Sequence, residues 1–165
     1  MSQDAIVMLK DDHKEVKALF REFQKPSTTP ARKESLVKKI IELLTVHTYI
    51  ENEVMYPQVR ALLPELEADV LESYEEHHVA DVLVMELAAM DRSDERFEAK
   101  VTVLIENVTH HIDEEEQEWV PKVREGLSRT QLREIGEELA AAKSKAPRRP
   151  EQPSALKKTV DAVIS

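Results

Sequence analysis

The chain has 165 residues, a net charge of −10 and no cysteine. That composition excludes disulfides, thiolate catalysis and cysteine-held zinc or iron–sulfur sites, and it sets a phosphate backbone against the surface. Only two glycines and few aromatics point to an all-helical protein, with one domain as the default at this length.

A first helix is expected from about Asp4 to Gln24. Its apolar stripe is Ile6, Leu9, Val16, Phe20 and Phe23, and His13 stands where the missing member belongs. The apolar run Ile6–Leu9 is only four residues, too short for a signal peptide or a membrane span, so a cytoplasmic protein is expected. Lys25–Pro30 is a connector, with Thr29 as N-cap and Pro30 as first helical residue. The second helix should span Pro30 to Leu63, with Leu36, Ile40, Leu43, His47, Glu51 and Val54 inward and a kink at Pro57. The third should run from Glu65 to Met90 on Val70, Tyr74, His77, Ala80 or Asp81, Val84 and Leu87. Ser93 is the expected N-cap of a fourth helix, Asp94 to Arg124. Its stripe is Val101, Leu104, Val108, His111, Glu115 and Trp119, with a kink at Pro121 and an end at Gly126. A capping-box pattern at Ser128–Gln131 opens a fifth helix to about Lys143. A Pro-rich basic linker follows, and then an apolar patch at Leu156, Val160, Val163 and Ile164 that either docks or forms a mobile tail. From Lys143 onward the chain carries six basic and two acidic residues, which leaves −14 (−10 minus +4) on the preceding body.

An offset of 64 residues lays the chain on itself without a gap. His13 meets His77, and Thr45, His47, Glu51, Pro57 and Arg60 meet Thr109, His111, Glu115, Pro121 and Arg124. A duplicated helical hairpin packs naturally as an up-down-up-down four-helix bundle, here over residues 1–126, with residues 127–165 as C-terminal helix and tail. The offset also selects His77 over His78 and His111 over His110 as the inward members of two adjacent pairs.

His47 with Glu51, and His111 with Glu115, are i,i+4 pairs that share a helix face. A lone His on an apolar face is ordinarily a satisfied core residue. Four His and two Glu in one core layer are different, because burying two unpaired carboxylates costs several kcal/mol each. A bound cation removes that cost. Six ligands exceed the four of a structural zinc site but suit two metals, each with two His, bridged by the two Glu. Such a nitrogen- and carboxylate-rich set favours iron over zinc or manganese. Tyr49, Tyr56 and Tyr74 all lie near the ligand layer in sequence; Tyr74, one turn before His77 on the third helix's stripe, is either a phenol available to the metals or an amphipathic core filler. Glu114, Glu116 and Glu118 read as a solvated face, Glu22 and Glu86 as surface or salt-bridge residues, and Met55 and Trp119 as core.

The ordered pattern His, His-x3-Glu, His, His-x3-Glu on four helices resembles the hemerythrin-like (HHE cation-binding) family over about residues 4 to 126. Leu132 to Lys143 with the basic tail is similar to a bacterial subset of that family. The resemblance implies a non-haem di-iron centre with an oxo or hydroxo bridge, held by His13, His47, Glu51, His77, His111 and Glu115. Oxygen-carrying members have a further His four residues from the one on the third helix; here those positions are Ser73 and Asp81. Fewer nitrogens imply open positions on the metals. Relatives with this reduced set decompose hydrogen peroxide, or are proposed to sense oxygen, nitric oxide or iron. The expectation is therefore a catalase-like protein of oxidative-stress defence acting on peroxide or a diatomic ligand, or a binding and sensing module without turnover. No nucleic-acid or membrane partner is expected.

Overall fold

The computed structural model describes residues 3–150, so the apolar patch at Leu156–Ile164 lies outside the described residues. Among them there is no strand, and no helix is long and apolar enough to cross a membrane. The order is α1 (Ala5–Gln24), α2 (Pro30–Ile50), a π-helical turn (Glu51–Met55), α3 (Tyr56–Leu62), a 3-10 turn (Pro64–Leu66), α4 (Glu67–Ala88), α5 (Phe97–Glu114), a second π-helical turn (Glu115–Trp119), α6 (Val120–Gly126) and α7 (Arg129–Lys145). α1 pairs with α2 and α4 with α5, and the two hairpins close into a four-helix bundle.

The helix starts follow from local chemistry. Asp4 accepts a hydrogen bond from the Val7 N–H, and Thr29 accepts one from the Arg32 N–H just ahead of Pro30. Ser128 and Gln131 form both bonds of the capping box that opens α7. Ser93 does not cap α5. Its N–H and hydroxyl both donate to Asp91, the connector stays in turns, and the helix begins at Phe97. Nor does Gly126 end α6 in a left-handed conformation, since no described residue has positive φ. A Cβ there would lie 2.6 Å from Leu63 Cδ2, so the position is small to admit that side chain.

The two kinks take the form of π-helical turns. Pro57 and Pro121 each lack the N–H that an α-helix would give to the carbonyl four residues back, and the ring would collide with that carbonyl. A wider turn absorbs both problems, with the Tyr56 N–H bonding the Glu51 carbonyl and the Val120 N–H the Glu115 carbonyl. Each turn begins on the Glu of a His-x3-Glu pair.

The core falls into two apolar blocks. One gathers Val16, Phe20, Ile40, Val84, Leu104 and Ile112; the other gathers Ile6, Leu9, Ile50, Val59, Val123 and Leu139. Between them lies a buried polar layer of His13, His47, Glu51, His77, His111 and Glu115. α7 packs against α1, α2 and the Glu51–Met55 turn, where it buries Leu132, Ile135 and Leu139. Each such side chain contributes about 1.5–3 kcal/mol.

Candidate metal centre

All six inward side chains predicted from the repeat meet in this layer. His13 and His47 approach Nε2 to Nε2 at 3.1 Å, and so do His77 and His111. Glu51 lies against both pairs, with Oε1 2.5 Å from His47 Nε2 and 3.6 Å from His77 Nε2. Glu115 does the same from the other side, with Oε1 3.4 Å from His13 Nε2 and Oε2 3.3 Å from His111 Nε2. His78 and His110 stand outside the layer. His110 is exposed and pairs with Glu114 at 3.0 Å.

The outer nitrogens fix how the rings are used. His47 Nδ1–H donates to Asp12 Oδ2 at 3.0 Å, and His111 Nδ1–H donates to Glu76 Oε1 at 3.1 Å. His77 Nδ1–H donates to Asn52 Oδ1 at 2.9 Å, while His13 Nδ1 faces Glu116 Oε1 at 3.5 Å. An acceptor at Nδ1 places the proton there and turns the Nε2 lone pair inward. Three lone pairs thus converge with two carboxylates, and His13 presents its Nε2 to the same space. Both oxygens of Glu51 and Oε1 of Glu115 are buried without a hydrogen-bond donor. Buried acceptors of this kind need a positive partner. The donor set is hard oxygen plus imidazole, which suits a first-row cation. The atoms form two groups, His13, His47, Glu51 and Glu115 in one, and Glu51, His77 and His111 in the other. They fit two cations that share a carboxylate.

Without metal, protons take over part of the cations' role. Burial opposes charge on His47, but the charge of Glu51 and the hydrogen bond to Asp12 raise it to about 10. Burial likewise opposes charge on His111, and its hydrogen bonds to Glu115 and Glu76 push it well above its ordinary value. Burial and the neighbouring His111 charge drive His77 well down. The two Glu split: burial and the charge of Glu115 raise Glu51, while Glu115, despite its burial, is lowered by the imidazoles of His111 and His13 beside it. Two like charges in one dry site cannot both persist unpaired.

Five residues escaped the sequence reading. Tyr56, not Tyr74, reaches the layer. It is fully buried, its hydroxyl donates to Glu115 Oε2 at 2.8 Å, and it lies 3.2 Å from His77 Nε2 and 3.4 Å from His111 Nε2. The π turn puts it there. One extra residue in the turn gives position i+5 from Glu51 the direction that i+4 has in an α-helix. Tyr74 is half-buried and donates to the Asn52 carbonyl at 3.3 Å. Glu116 is not part of a solvated face, since it stands behind His13. Asp12 and Glu76, each one residue before an inward His, are related by the same 64-residue offset, as are Asn52 and Glu116. The repeat therefore held the signal for all four outer partners.

Two spaces reach the layer. A cavity of about 40 Å³ opens on His47, His77 and His111 between apolar residues including Val16, Leu44, Val108 and Ile112. A water needs ~10–15 Å³ by this measure, so the space suits a molecule of two to four atoms. A second cleft of about 80 Å³ reaches His111 and Glu115 along a line of carboxylates.

Comparison with known proteins agrees with this geometry. The family model of the hemerythrin HHE cation-binding domain matches residues 4–123. A solved hemerythrin HHE cation-binding domain-containing protein from Mycobacterium kansasii superposes with a TM-score of 0.70 at 26% identity, covering 87% of this chain and 86% of that one. A curated protein of Nostoc sp., named a DNA nickase, is 34% identical over 147 residues. That match covers 89% of this chain but only 40% of the relative's length.

Proposed function

This chain belongs to the hemerythrin HHE cation-binding family, and from that premise we propose that it holds two iron ions and decomposes hydrogen peroxide. The supporting observation is the set of four inward Nε2 atoms and three donor-free carboxylate oxygens of Glu51 and Glu115 beside a cavity sized for a few atoms. His13 and His47 would hold one ion, His77 and His111 the other, with Glu51 and Glu115 between them. When bound, an iron pair supplies two-electron exchange between ferrous and ferric states. One peroxide takes two electrons and two protons to become two waters, and a second gives up two of each to become dioxygen. Tyr56 holds a proton within hydrogen-bond reach of Glu115, at the edge of the layer. Asp12, Glu76 and Asn52 keep three of the imidazoles oriented. The apolar cavity wall favours a neutral substrate and limits water.

Oxygen evolution from peroxide by the iron-loaded protein, compared with an equal amount of free iron, tests the reading. A rate no higher than free iron refutes it. Binding or sensing of dioxygen, nitric oxide or iron without turnover is the second reading. It is favoured by Lys143 of α7, whose Nζ donates to Asp12 Oδ1 at 2.6 Å and so connects the C-terminal helix to His47. An interaction of the tail that depends on metal state would support it. Nicking is left with the Nostoc relative, because a net charge of −10 repels a phosphate backbone.

A further inference from the structure

We propose that the acidic cleft between α4 and the Glu115–Trp119 turn is the loading port for the divalent cation, separate from the apolar cavity that serves the neutral small molecule. This inference rests on the metal centre proposed above but not on its reaction with peroxide. Glu72 and Glu118 are exposed at the mouth, Asp69, Glu76 and Glu114 are half-buried further in, and Glu115 is 3% exposed at the floor beside His111. Lys122 pairs with Asp69 at 3.3 Å and His110 with Glu114 at 3.0 Å. Among the described residues, Glu72 and Glu118 have no ion pair.

An acidic surface alone would be an ordinary solvated face. Two buried groups lining this cleft say otherwise. Glu115 Oε1 has no hydrogen-bond donor, and the Trp119 indole N–H, on a residue 4% exposed, has no acceptor. The carboxylate oxygen calls for a cation or a water and the indole N–H, a donor, for a water, so together they mark a hydrated passage.

The repeat supplies an independent comparison. Asp69, Glu72, Glu114 and Glu118 correspond by the 64-residue offset to Ala5, Met8, Ile50 and Val54. Those four are apolar: Ala5 and Ile50 belong to the core block that α7 covers through Leu132, Ile135 and Leu139, and Met8 and Val54 pack against it. The same groove is thus plugged in one half of the molecule and open and acidic in the other. A hydrated dication is stabilised along a carboxylate line, whereas the cavity beside His47 and His77 has a mainly apolar wall and its Asp12 carboxylate is already paired with Lys143.

The test is stopped-flow mixing of the full-length metal-free protein with Co²⁺, whose visible bands report ligation by nitrogen and oxygen. Glu72→Gln with Glu118→Gln should slow uptake about tenfold at ~0.01 M ionic strength, where the screening length is ~30 Å. The gap should shrink to less than about twofold near 1 M salt. Final stoichiometry and spectrum should match the wild type, which also shows that the variant is folded. Glu95→Gln with Glu106→Gln removes the same charge from exposed positions outside the cleft and should leave the rate within about twofold. Equal slowing in both double variants, or none in either, overturns the port. So does a lower stoichiometry in the cleft variant, which would make those residues part of the site. Failure of peroxide decomposition would leave this result standing, whereas failure of the wild type to take up cobalt would overturn the metal centre and the port together.

Discussion

The two halves of the polar layer come from the same duplicated hairpin, yet they have diverged in what surrounds them. The His13–His47 half is closed to the acidic cleft, although His47 borders the apolar cavity. Asp12 behind His47 is clamped by Lys143, α7 lies over the adjoining groove, and the buried Val120 occupies the position equivalent to Tyr56. The His77–His111 half is open. Glu76 behind His111 lines a cleft to solvent, and the Tyr56 hydroxyl sits among the imidazoles. No lysine or arginine pairs with Glu76 among the described residues. Duplication preserved the ligands and their outer hydrogen-bond partners, while the halves specialised through residues one step further out.

The largest expected effect comes from removing what both halves share. Glu115 touches His13 with one oxygen and His111 with the other, so Glu115→Ala should lower metal content from two ions to below one per chain by elemental analysis. A ligand present at about a hundred times its Kd stabilises by ~2.7 kcal/mol, and ~1 kcal/mol is worth ~2–4 °C at this size. Chelation of the wild type, or Glu115→Ala, should therefore lower Tm by about 5–10 °C in scanning calorimetry. An unchanged Tm on chelation would mean that the layer is held by its own hydrogen bonds.

Tyr56→Phe acts mainly on the open half, where the hydroxyl lies beside His77 and His111 and donates to the shared Glu115. Loss of the donor to a buried carboxylate costs about 1–3 kcal/mol in the metal-free protein. In the iron-loaded protein it should alter the near-ultraviolet spectrum and slow oxygen evolution. The matched change in the closed half, Val120→Ala, should cost about 2 kcal/mol through packing and leave the spectrum alone. Identical spectra for wild type and Tyr56→Phe would erase this part of the asymmetry. Gly136→Ala tests the plug instead. A Cβ there would lie 2.2 Å from the Gln3 carbonyl oxygen, so α7 must lift, at about 1–3 kcal/mol. Hydrogen exchange should then rise in α7 and in the first turns of α1, while the acidic cleft stays unchanged.

Periodicity was enough to read the bundle, because His and Glu on otherwise apolar stripes announce themselves, and the 64-residue offset resolved His77 from His78 and His111 from His110. Tyr56 was illegible for a definite reason. On an unbroken α-helix, five residues beyond Glu51 points well away from it; only the π turn forced by Pro57 brings the phenol in. Asp12 and Glu76 were legible but unread, since an acid beside an inward His looks like surface until the partner helix is placed across from it. The acidic cleft needed three dimensions, as its carboxylates come from α4 and from the far end of α5. The open ends of α5 and α6 show the limit of cap rules: Ser93 and Gly126 fit consensus positions, but Asp91 and Leu63 decide what they do.

The smallest expected effect is Lys143→Met, which should make the closed half resemble the open one. Burial alone would raise the Asp12 carboxyl. The hydrogen bond and charge of His47, and then those of Lys143, outweigh burial and hold it at about 2. A lowered carboxyl contributes stability that is fully present above its ordinary value of 3.8 and is lost as pH falls through about 2. Without Lys143, His47 still lowers Asp12 but by less, so the loss should be smaller and complete at a higher pH, inside that window. Near neutral pH the change should be slight, because the Lys143 side chain is 43% exposed and water screens such pairs. Acid titration of the metal-free proteins by circular dichroism reads the shift directly. Superimposable curves for the wild type and Lys143→Met would mean that α7 covers the closed half without acting on Asp12, and that the difference between the halves lies in Tyr56 and the cleft alone.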